Sequence, residues 1–558
     1  MNRCIPAFAL LAFTTGCATV PRTASGPVEV QILAINDFHG NLEAQAAPVG
    51  VTAISGGAQT TGAMGGAAQL AATLRALRFA PNTITVAAGD LIGASPLTSA
   101  YFLDEPTVEA MNLIKLDLAS VGNHEFDKGS AELLRMQKGG CEKYTSRAPC
   151  RLEPYKGARF QYLGANVLKA DGTTLLPGTA IRQIGPVRIG FIGMTLKETG
   201  TLVTPAGVAG LSFADEAATA NALVPKLKAA GADLVVLLIH QGGKVPETYV
   251  QDGCSGLSGG ILPIVEALDP AIRIVVSGHT HNAYACEIGQ GDKRRLLTSA
   301  GKYGYLVTDI RLTVDPATRA LLGWQARNAT VDGRQGADRD VAALVARYEA
   351  AAAPAAARKV GRLSGPAMKS EGDGESPVAR LIADGQLAAT RATTKGGAQI
   401  SFINATGVRT NLIPTADGTV TYGQIFALQP FGNGLVVKTL SGAQLKALLE
   451  QQFRTIDGQG RVASLLVPSA NFRFAYDLGK DDGNRVSDIE LNGKPVDPAA
   501  NYRVVVNNFL ASGGDGFSAL VEGGDAFDAG LDLDALEAWL ATDPAVPNDQ
   551  RTTRIIPQ

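Results

Sequence analysis

Val121-Gly122-Asn123-His124-Glu125-Phe126-Asp127 closes the apolar run that begins at Leu118. In seven residues it brings together an amide oxygen, an imidazole and two carboxylates. The same mixture recurs on either side of it, in Asn36-Asp37-Phe38-His39-Gly40, in Gly89-Asp90, at His240 and in Gly278-His279-Thr280-His281. The 558-residue chain has five histidines, and every one lies in such a block. Imidazole serves metal ligation and proton transfer near neutral pH. A chain that places all its histidines this way is building one site.

The surrounding pattern explains how distant blocks can meet. Val28 to Ile35, Thr83 to Ala88, Leu118 to Val121, Asp233 to Ile239 and Ile272 to Val276 read as strands, with a further strand at Arg188 to Gly193. Helical spacing separates them at Gly66 to Phe79, Glu105 to Ile114 and Ala214 to Ala230. Alternating strands and helices predict an α/β fold with layered helices and sheet. Five strands each run into a histidine or aspartate, and open α/β sheets hold their ligands at strand C-termini. Ala46 to Gly66 is small, apolar and Gly-rich and reads as a loop. Ala-rich Val341 to Arg358 reads as an interdomain helix and linker. A second α/β region follows, with a strand at Gln399 to Ile403.

Length alone asks for two or three domains. A hydrophobic fraction of 46% and a charged fraction of 18% are those of a globular chain. The formal net charge of −2 argues against a nucleic-acid polymer as partner. Arg3, the apolar run Ile5 to Phe13 and Thr15-Gly16-Cys17 read as a lipoprotein-type signal with Cys17 lipidated, an ordinary secretory signal being the alternative. The expected organisation is a signal over 1–17, a tether over 18–27, a catalytic domain over 28–340, the linker over 341–360 and a substrate-binding domain over 361–558. Lipid at Cys17 would be the only membrane attachment, on an exported protein that is periplasmic or anchored to the outer membrane of a bacterium. Setting aside Cys4 and Cys17 leaves four cysteines. Cys141 and Cys150 flank a short charged loop, which predicts a local pair and leaves Cys254 with Cys286. Free thiols are the alternative, and no Cys-x-x-Cys spacing suggests zinc.

Asp37, His39, Asp90, Asn123, His240, His279 and His281 are hard or borderline donors suited to divalent ions. They are too many for one ordinary site and about right for two ions sharing a ligand, a role that suits Asp90. Such pairs clamp the attacking and leaving oxygens of phosphoryl transfer, and a hydroxide on the ions serves as nucleophile. His124, beside Asn123, would sit just outside the ions and donate to a phosphate or leaving oxygen. Asp127, three residues on, would hold its ring in one tautomer.

The ordered blocks Asn-Asp-Phe-His-Gly, Ala-Gly-Asp, Gly-Asn-His-Glu-Phe-Asp, Ile-His-Gln-Gly-Gly and Gly-His-Thr-His resemble the calcineurin-like metallophosphoesterases, and more closely the secreted bacterial 5'-nucleotidase and UDP-sugar hydrolase family. The resemblance runs from about Val28 to the C-terminus. It implies a four-layer α/β/β/α catalytic domain and a C-terminal α/β 5'-nucleotidase domain. It implies that Asp37, His39, Asp90 and His281 hold one metal, that Asp90, Asn123, His240 and His279 hold the other, and that His124 and Asp127 are the catalytic dyad. Members of the family vary between glutamine and histidine where His281 stands. The metals therefore stay open among Mn, Zn, Co and Mg.

In the second half, Asn404 and Arg409 match the family's Asn-Gly-Gly-Gly-Val-Arg-like turn, with Ala405 and Thr406 replacing two glycines. Phe431 and Asn433 match its Pro-Phe-Gly-Asn loop, and Phe509 and Asp515 its Phe-x-x-x-Gly-Gly-Asp-Gly block. The resemblance implies a base between the two phenylalanines, a ribose on the aspartate and a phosphate near arginines, Arg380 included. The expected reaction is phosphate release from nucleoside 5'-monophosphates, with UDP-sugars as a further substrate class. The alternatives are a 2',3'-cyclic-nucleotide phosphodiesterase/3'-nucleotidase, a thiosulfohydrolase-like enzyme and a non-catalytic surface binding protein.

Overall fold

A computed structural model describes residues 26–46, 63–79, 81–145, 147–203, 205–247, 249, 252–370, 374–456 and 459–555. The signal segment, Cys17, most of the tether and most of the Ala46 to Gly66 loop lie outside the described residues.

Two six-stranded sheets dominate the first half. One runs in the order Leu321–Thr330, Leu306–Val314, Val28–Ile35, Thr83–Ala88, Leu118–Ser120, Gln161–Leu163. The other runs Ala283–Ile288, Arg295–Ala300, Ile272–Ser277, Leu234–His240, Val187–Thr195, Thr179–Ile184. The central strands are near-continuous runs of Val, Ile, Leu and Ala because both of their faces are covered. Alternate residues divide between two cores. Val30, Ile32 and Ala34 join Val236, Leu238, Ile274 and Val276 between the sheets. Leu33 and Ile35 pack outward with the helix Ala67–Leu77 and its neighbours. On the second sheet Val235, Leu237 and Ile239 pack outward against the helices Glu216–Ala229 and Ile261–Ala267. Helix, sheet, sheet, helix is the expected four-layer order. Each of these fully buried side chains contributes roughly 1.5–3 kcal/mol of transfer free energy.

Strand register sets up the site. Ile35 pairs with Ala87 and Ala88 with Ser120, all parallel. The three strands end level, so the loops carrying Asp37, Asp90 and Asn123 leave side by side. Ile239 pairs in parallel with Ser277 in the other sheet, which brings His240 level with the loop holding His279 and His281.

The expected linker forms the helix Arg339–Ala356, capped by the Asp338 side chain accepting from Asp340 and Val341 N–H. Its Val341, Leu344, Val345, Tyr348 and Ala352 belong to the first half's helical core. It is therefore a packed element rather than a free connector. In the second half a five-stranded sheet runs Leu466–Pro468, Ile400–Asn404, Asn501–Asn507, Gly434–Ser441, Gly524–Leu531. Leu97 and Ala100 of the first half are part of this half's core, so the two halves share apolar packing. Among the described residues no helix is long and apolar enough to cross a membrane. Cys141 is joined to Cys150, and Cys254 to Cys286.

Candidate active site

Three turns from the first sheet and two from the second converge. One ligand atom each from Asp37, His39 and His281 lies within 4.8 Å of the others, and the same holds for Asp90, His240 and His279 and for His39, Asp90 and His124. His39 Nε2 and His281 Nε2 are 3.2 Å apart. His240 Nε2 is 2.9 Å from an Asp90 carboxylate oxygen. The backbone bends sharply to achieve this. Asp37, His39, Asp90, His279 and His281 all hold positive φ, between 47° and 72°. Such conformations cost on the order of 1–3 kcal/mol each and collect where function over-determines the chain. Neighbouring glycines allow the close approach: a Cβ on Gly122 would sit 2.2 Å from Asp90 Oδ1, and one on Gly278 would sit 2.9 Å from Asp37 Oδ2.

The hydrogen bonds aim donor atoms inward. His39 Nδ1 lies 2.9 Å from the Gly93 carbonyl and His240 Nδ1 lies 2.8 Å from the Ala88 carbonyl. Donation at Nδ1 leaves each Nε2 lone pair facing the centre, the arrangement of metal-bound imidazoles. His240 Nε2 and Asn123 Oδ1 are buried and make no hydrogen bond. Burying a polar atom unpaired costs on the order of 1–3 kcal/mol, so both fit a cation that would satisfy them. Burial pulls His39 and His281 below the ordinary imidazole value and His279 down to about 4, which keeps them neutral and able to ligate. Burial opposes the protonation of His240, but the Asp90 carboxylate beside it pushes it up to about 10. Burial likewise opposes ionisation of Asp37 and Asp90, yet the facing histidines hold both below the usual carboxylate range. Three overlapping groups, linked through His39 and Asp90, are what the donors can offer divalent ions.

Glu125 has a role that the sequence did not single out. One of its oxygens accepts from Asp90 and Gly122 N–H at 2.9 and 2.6 Å, and the other accepts from Leu91 N–H at 2.9 Å. It pins the Asp90 turn to the Asn123 turn. Burial, then the Asp90 charge, pushes its carboxyl up to about 7. His124 belongs only to the group it forms with His39 and Asp90. Its Nδ1 is 2.7 Å from Asp127 Oδ2, and its backbone N–H donates to Asp90 Oδ1 at 2.9 Å. Burial lowers its imidazole pKa, but the Asp127 and Asp90 charges outweigh that and raise it above the ordinary value.

A cavity of about 660 Å³ opens from this centre toward the second half, and both halves line it. Asn123, His124, Asp127 and His279 face Asn404, Arg409, Phe431, Asn433, Phe509 and Asp515 across it. The Phe431 ring lies 6.3 Å from the His124 ring, nearly parallel at 15°, and the Arg409 guanidinium sits 5.6 Å from the Phe431 centroid. Asp515 Oδ2 accepts from Asn404 Nδ2 and Thr406 Oγ1, both at 2.8 Å. Arg380 is a correction to the sequence reading, because it does not line the cavity. It sits in the first turn of the helix Pro377–Thr390, and its Nε donates to Glu375 at 2.6 Å. Glu375 also accepts from Thr552, which ties that turn to the C-terminal strand instead. In its place the cavity wall holds Arg147, from the loop closed by the Cys141–Cys150 disulfide. That loop has no periodicity, and nothing in the sequence marked Arg147 out.

Comparisons with known proteins agree with this division. A calcineurin-like phosphoesterase profile matches residues 30–283, and a 5'-nucleotidase C-terminal domain profile matches residues 354–522. The chain is 29% identical over 492 residues to the endonuclease YhcR of Bacillus subtilis, covering 87% of this chain and 37% of that one. It is 27% identical over 526 residues to the cell wall protein Lmo0130 of Listeria monocytogenes, covering 90% and 65%. The chain thus spans less than two thirds of the length of either relative. A crystal structure of a 5'-nucleotidase precursor from Thermus thermophilus superposes with a TM-score of 0.75 at 25% identity, covering 95% of this chain and all of that one. The two profiles follow one another along a single chain, each over the half whose residues face the cavity, and the protein belongs to the family that joins a calcineurin-like phosphoesterase domain to a 5'-nucleotidase C-terminal domain.

Proposed function

We propose that the protein is a metal-dependent phosphoesterase that releases phosphate from nucleoside 5'-monophosphates, with UDP-sugars as a second substrate class. The observation that carries this reading is the shared cavity, which sets an aromatic and polar wall from one half against a carboxylate–imidazole centre from the other. Asp37, His39, Asp90 and His281 would hold one ion, and Asp90, Asn123, His240 and His279 a second. When bound, divalent ions supply Lewis acidity and a nucleophilic water at neutral pH. The chain's own residues do the rest. Phe431 and Phe509 offer faces for a base, Asn404 and Asp515 partner a sugar, and Arg409 offers a guanidinium fork for phosphate. His124, oriented at Nδ1 by Asp127, holds a proton at Nε2 for the leaving oxygen.

We also propose the division into a catalytic domain over 28–340, a linker over 341–360 and a substrate domain over 361–558, preceded by an export signal with lipidation at Cys17. Two disulfides support an oxidising compartment.

The test is phosphate release from AMP, UMP, UDP-glucose, 3'-AMP, 2',3'-cyclic AMP and a short oligonucleotide, after chelation and with or without added Mn²⁺. Metal-dependent release from the 5'-monophosphates is expected. Release confined to cyclic or 3' substrates, or to the oligonucleotide, would overturn the reading of the second half.

A further inference from the structure

The loop that carries Phe431 is anchored from behind by a buried carboxyl. Gln429 to Asn433 joins the helix Tyr422–Leu428 to the strand Gly434–Ser441, and Pro430 to Asn433 line the cavity. Asp532 opens the helix Asp532–Leu540, directly after Leu531, which pairs with Gly434. It is 1% exposed and touches both ends of the loop. Its backbone N–H donates to the Asn433 carbonyl at 3.0 Å, and the Asn433 side-chain amide donates to its carboxyl. At the other end Gln429 Nε2 reaches Asp532 Oδ2 at 3.5 Å. Gln429 is buried too, and its amide oxygen has no partner. Among the described residues Asp532 is therefore the only polar group that engages the Gln429 side chain, and no cation pairs with Asp532. Burial, and then the Asp534 charge, push its carboxyl up to about 7. A carboxyl buried without a counter-charge is costly. What it holds here are the two ends of the loop and the first turn of its own helix, where Leu533 N–H donates to Oδ1 at 2.7 Å.

We propose that Asp532 is a positioning residue for the cavity's aromatic wall: by holding Gln429 and Asn433 it sets how far Phe431 projects toward the His124 ring, 6.3 Å away. Asp532 lies behind the loop and meets no substrate atom itself. Without it the Gln429 amide would be buried with neither of its polar atoms paired, and the loop would have to move to solvate it. Phe431, two residues on, would move with it. This rests on the proposed nucleotidase reading, in which Phe431 offers a face to a base.

The experiment follows AMP hydrolysis by the Mn²⁺-loaded full-length protein and its inhibition by adenosine, which presents a base without a phosphate. Asp532→Ala should raise KM for AMP and Ki for adenosine together, by about tenfold, while kcat stays within about threefold and inhibition by inorganic phosphate is unchanged. Asp532→Asn keeps an acceptor for Leu533 and Asn433 and gains an amide that can donate to the Gln429 oxygen, so it should stay within about threefold of wild type on both constants. A general loosening of the fold would not single out the base in this way. The proposal is overturned if Asp532→Ala leaves both constants unmoved, if it lowers kcat alone, if KM rises without Ki for adenosine, or if adenosine does not inhibit the wild type. Should Asp532→Ala fail to fold, Gln429→Leu removes the other partner of the same contact and should raise the same two constants; unmoved constants there overturn the proposal equally. Failure of the wild type to hydrolyse AMP at all would instead refute the nucleotidase reading on which the proposal stands.

Discussion

Asn123 is the one candidate ligand whose side chain does not titrate, and its amide oxygen is buried without a partner. Replacing it with alanine removes that orphan atom and, if the oxygen ligates, one coordination position. Asn123→Ala should leave the far-UV spectrum intact and reduce phosphate release by roughly a hundredfold or more, since even outer-shell groups change metal sites by 10–100-fold. Bound Mn²⁺ should fall from two ions per chain toward one, and undiminished stoichiometry and rate would remove Asn123 from the centre. His124 makes a separate prediction. As the proposed proton donor it would work only while protonated, and Asp127 holds its pKa above the ordinary value against the pull of burial. Activity should therefore be retained below that raised pKa and lost as pH rises through it. Asp127→Asn takes away the raising charge, so the alkaline limb of the kcat/KM profile should move to lower pH. His124→Ala should cost about 10²–10⁴ in kcat. A limb that stays in place in Asp127→Asn would separate Asp127 from the proton.

At the level of elements, the strand ends were the most readable part of the chain. Leu234–His240 is a continuous apolar run that stops at a ligand, and Val28–Ile35 becomes one from Ile32 onward, because a strand covered on both faces has few polar positions until it leaves the sheet. The helix Glu105–Ile114 was legible from its spacing. Arg380 misled because a helical arginine looks the same in sequence whether it meets a ligand or, as here, Glu375. The loop between Cys141 and Cys150 was opaque for the opposite reason: its conformation is set by the disulfide and by contacts with the other half, neither of which has a local signature. Arg147 in that loop donates to the Ala100 carbonyl at 3.0 Å and stacks 5.1 Å from the Phe426 centroid, joining the halves at the cavity wall. Arg147→Ala gives up a cation–π contact of about 1–2 kcal/mol. If the two halves bind substrate together as they meet here, KM for AMP should rise roughly fivefold to thirtyfold with kcat little changed. A fall in kcat at constant KM would place Arg147 in the chemistry rather than in joining the halves.

The whole molecule places its candidate centre on a seam. Asp37, Asp90 and Asn123 come from turns of one sheet, and His240, His279 and His281 from strand ends of the other. Ions bound there would add to the apolar contacts, such as Ile32 with Val236, and the hydrogen bonds, such as His240 Nδ1 with the Ala88 carbonyl, that already join the two layers. They would also stabilise five left-handed ligand residues and two neighbouring carboxylates that repel each other in their absence. The second half supplies none of these ligands and has its own core. Metal binding should therefore stabilise the first half alone. At a free-ion concentration a hundred times Kd, one site adds about 2.7 kcal/mol to the folded state. For a unit of this size that is a rise of several degrees in Tm. Scanning calorimetry of the full chain, first chelated and then loaded with Mn²⁺, should show one transition moving upward and the other staying in place. If both move together, the Arg339–Ala356 helix and the apolar packing of Leu97 and Ala100 weld the halves into one cooperative unit. If neither moves, the seam is held by the sheets alone and the histidine cluster is not an ion site.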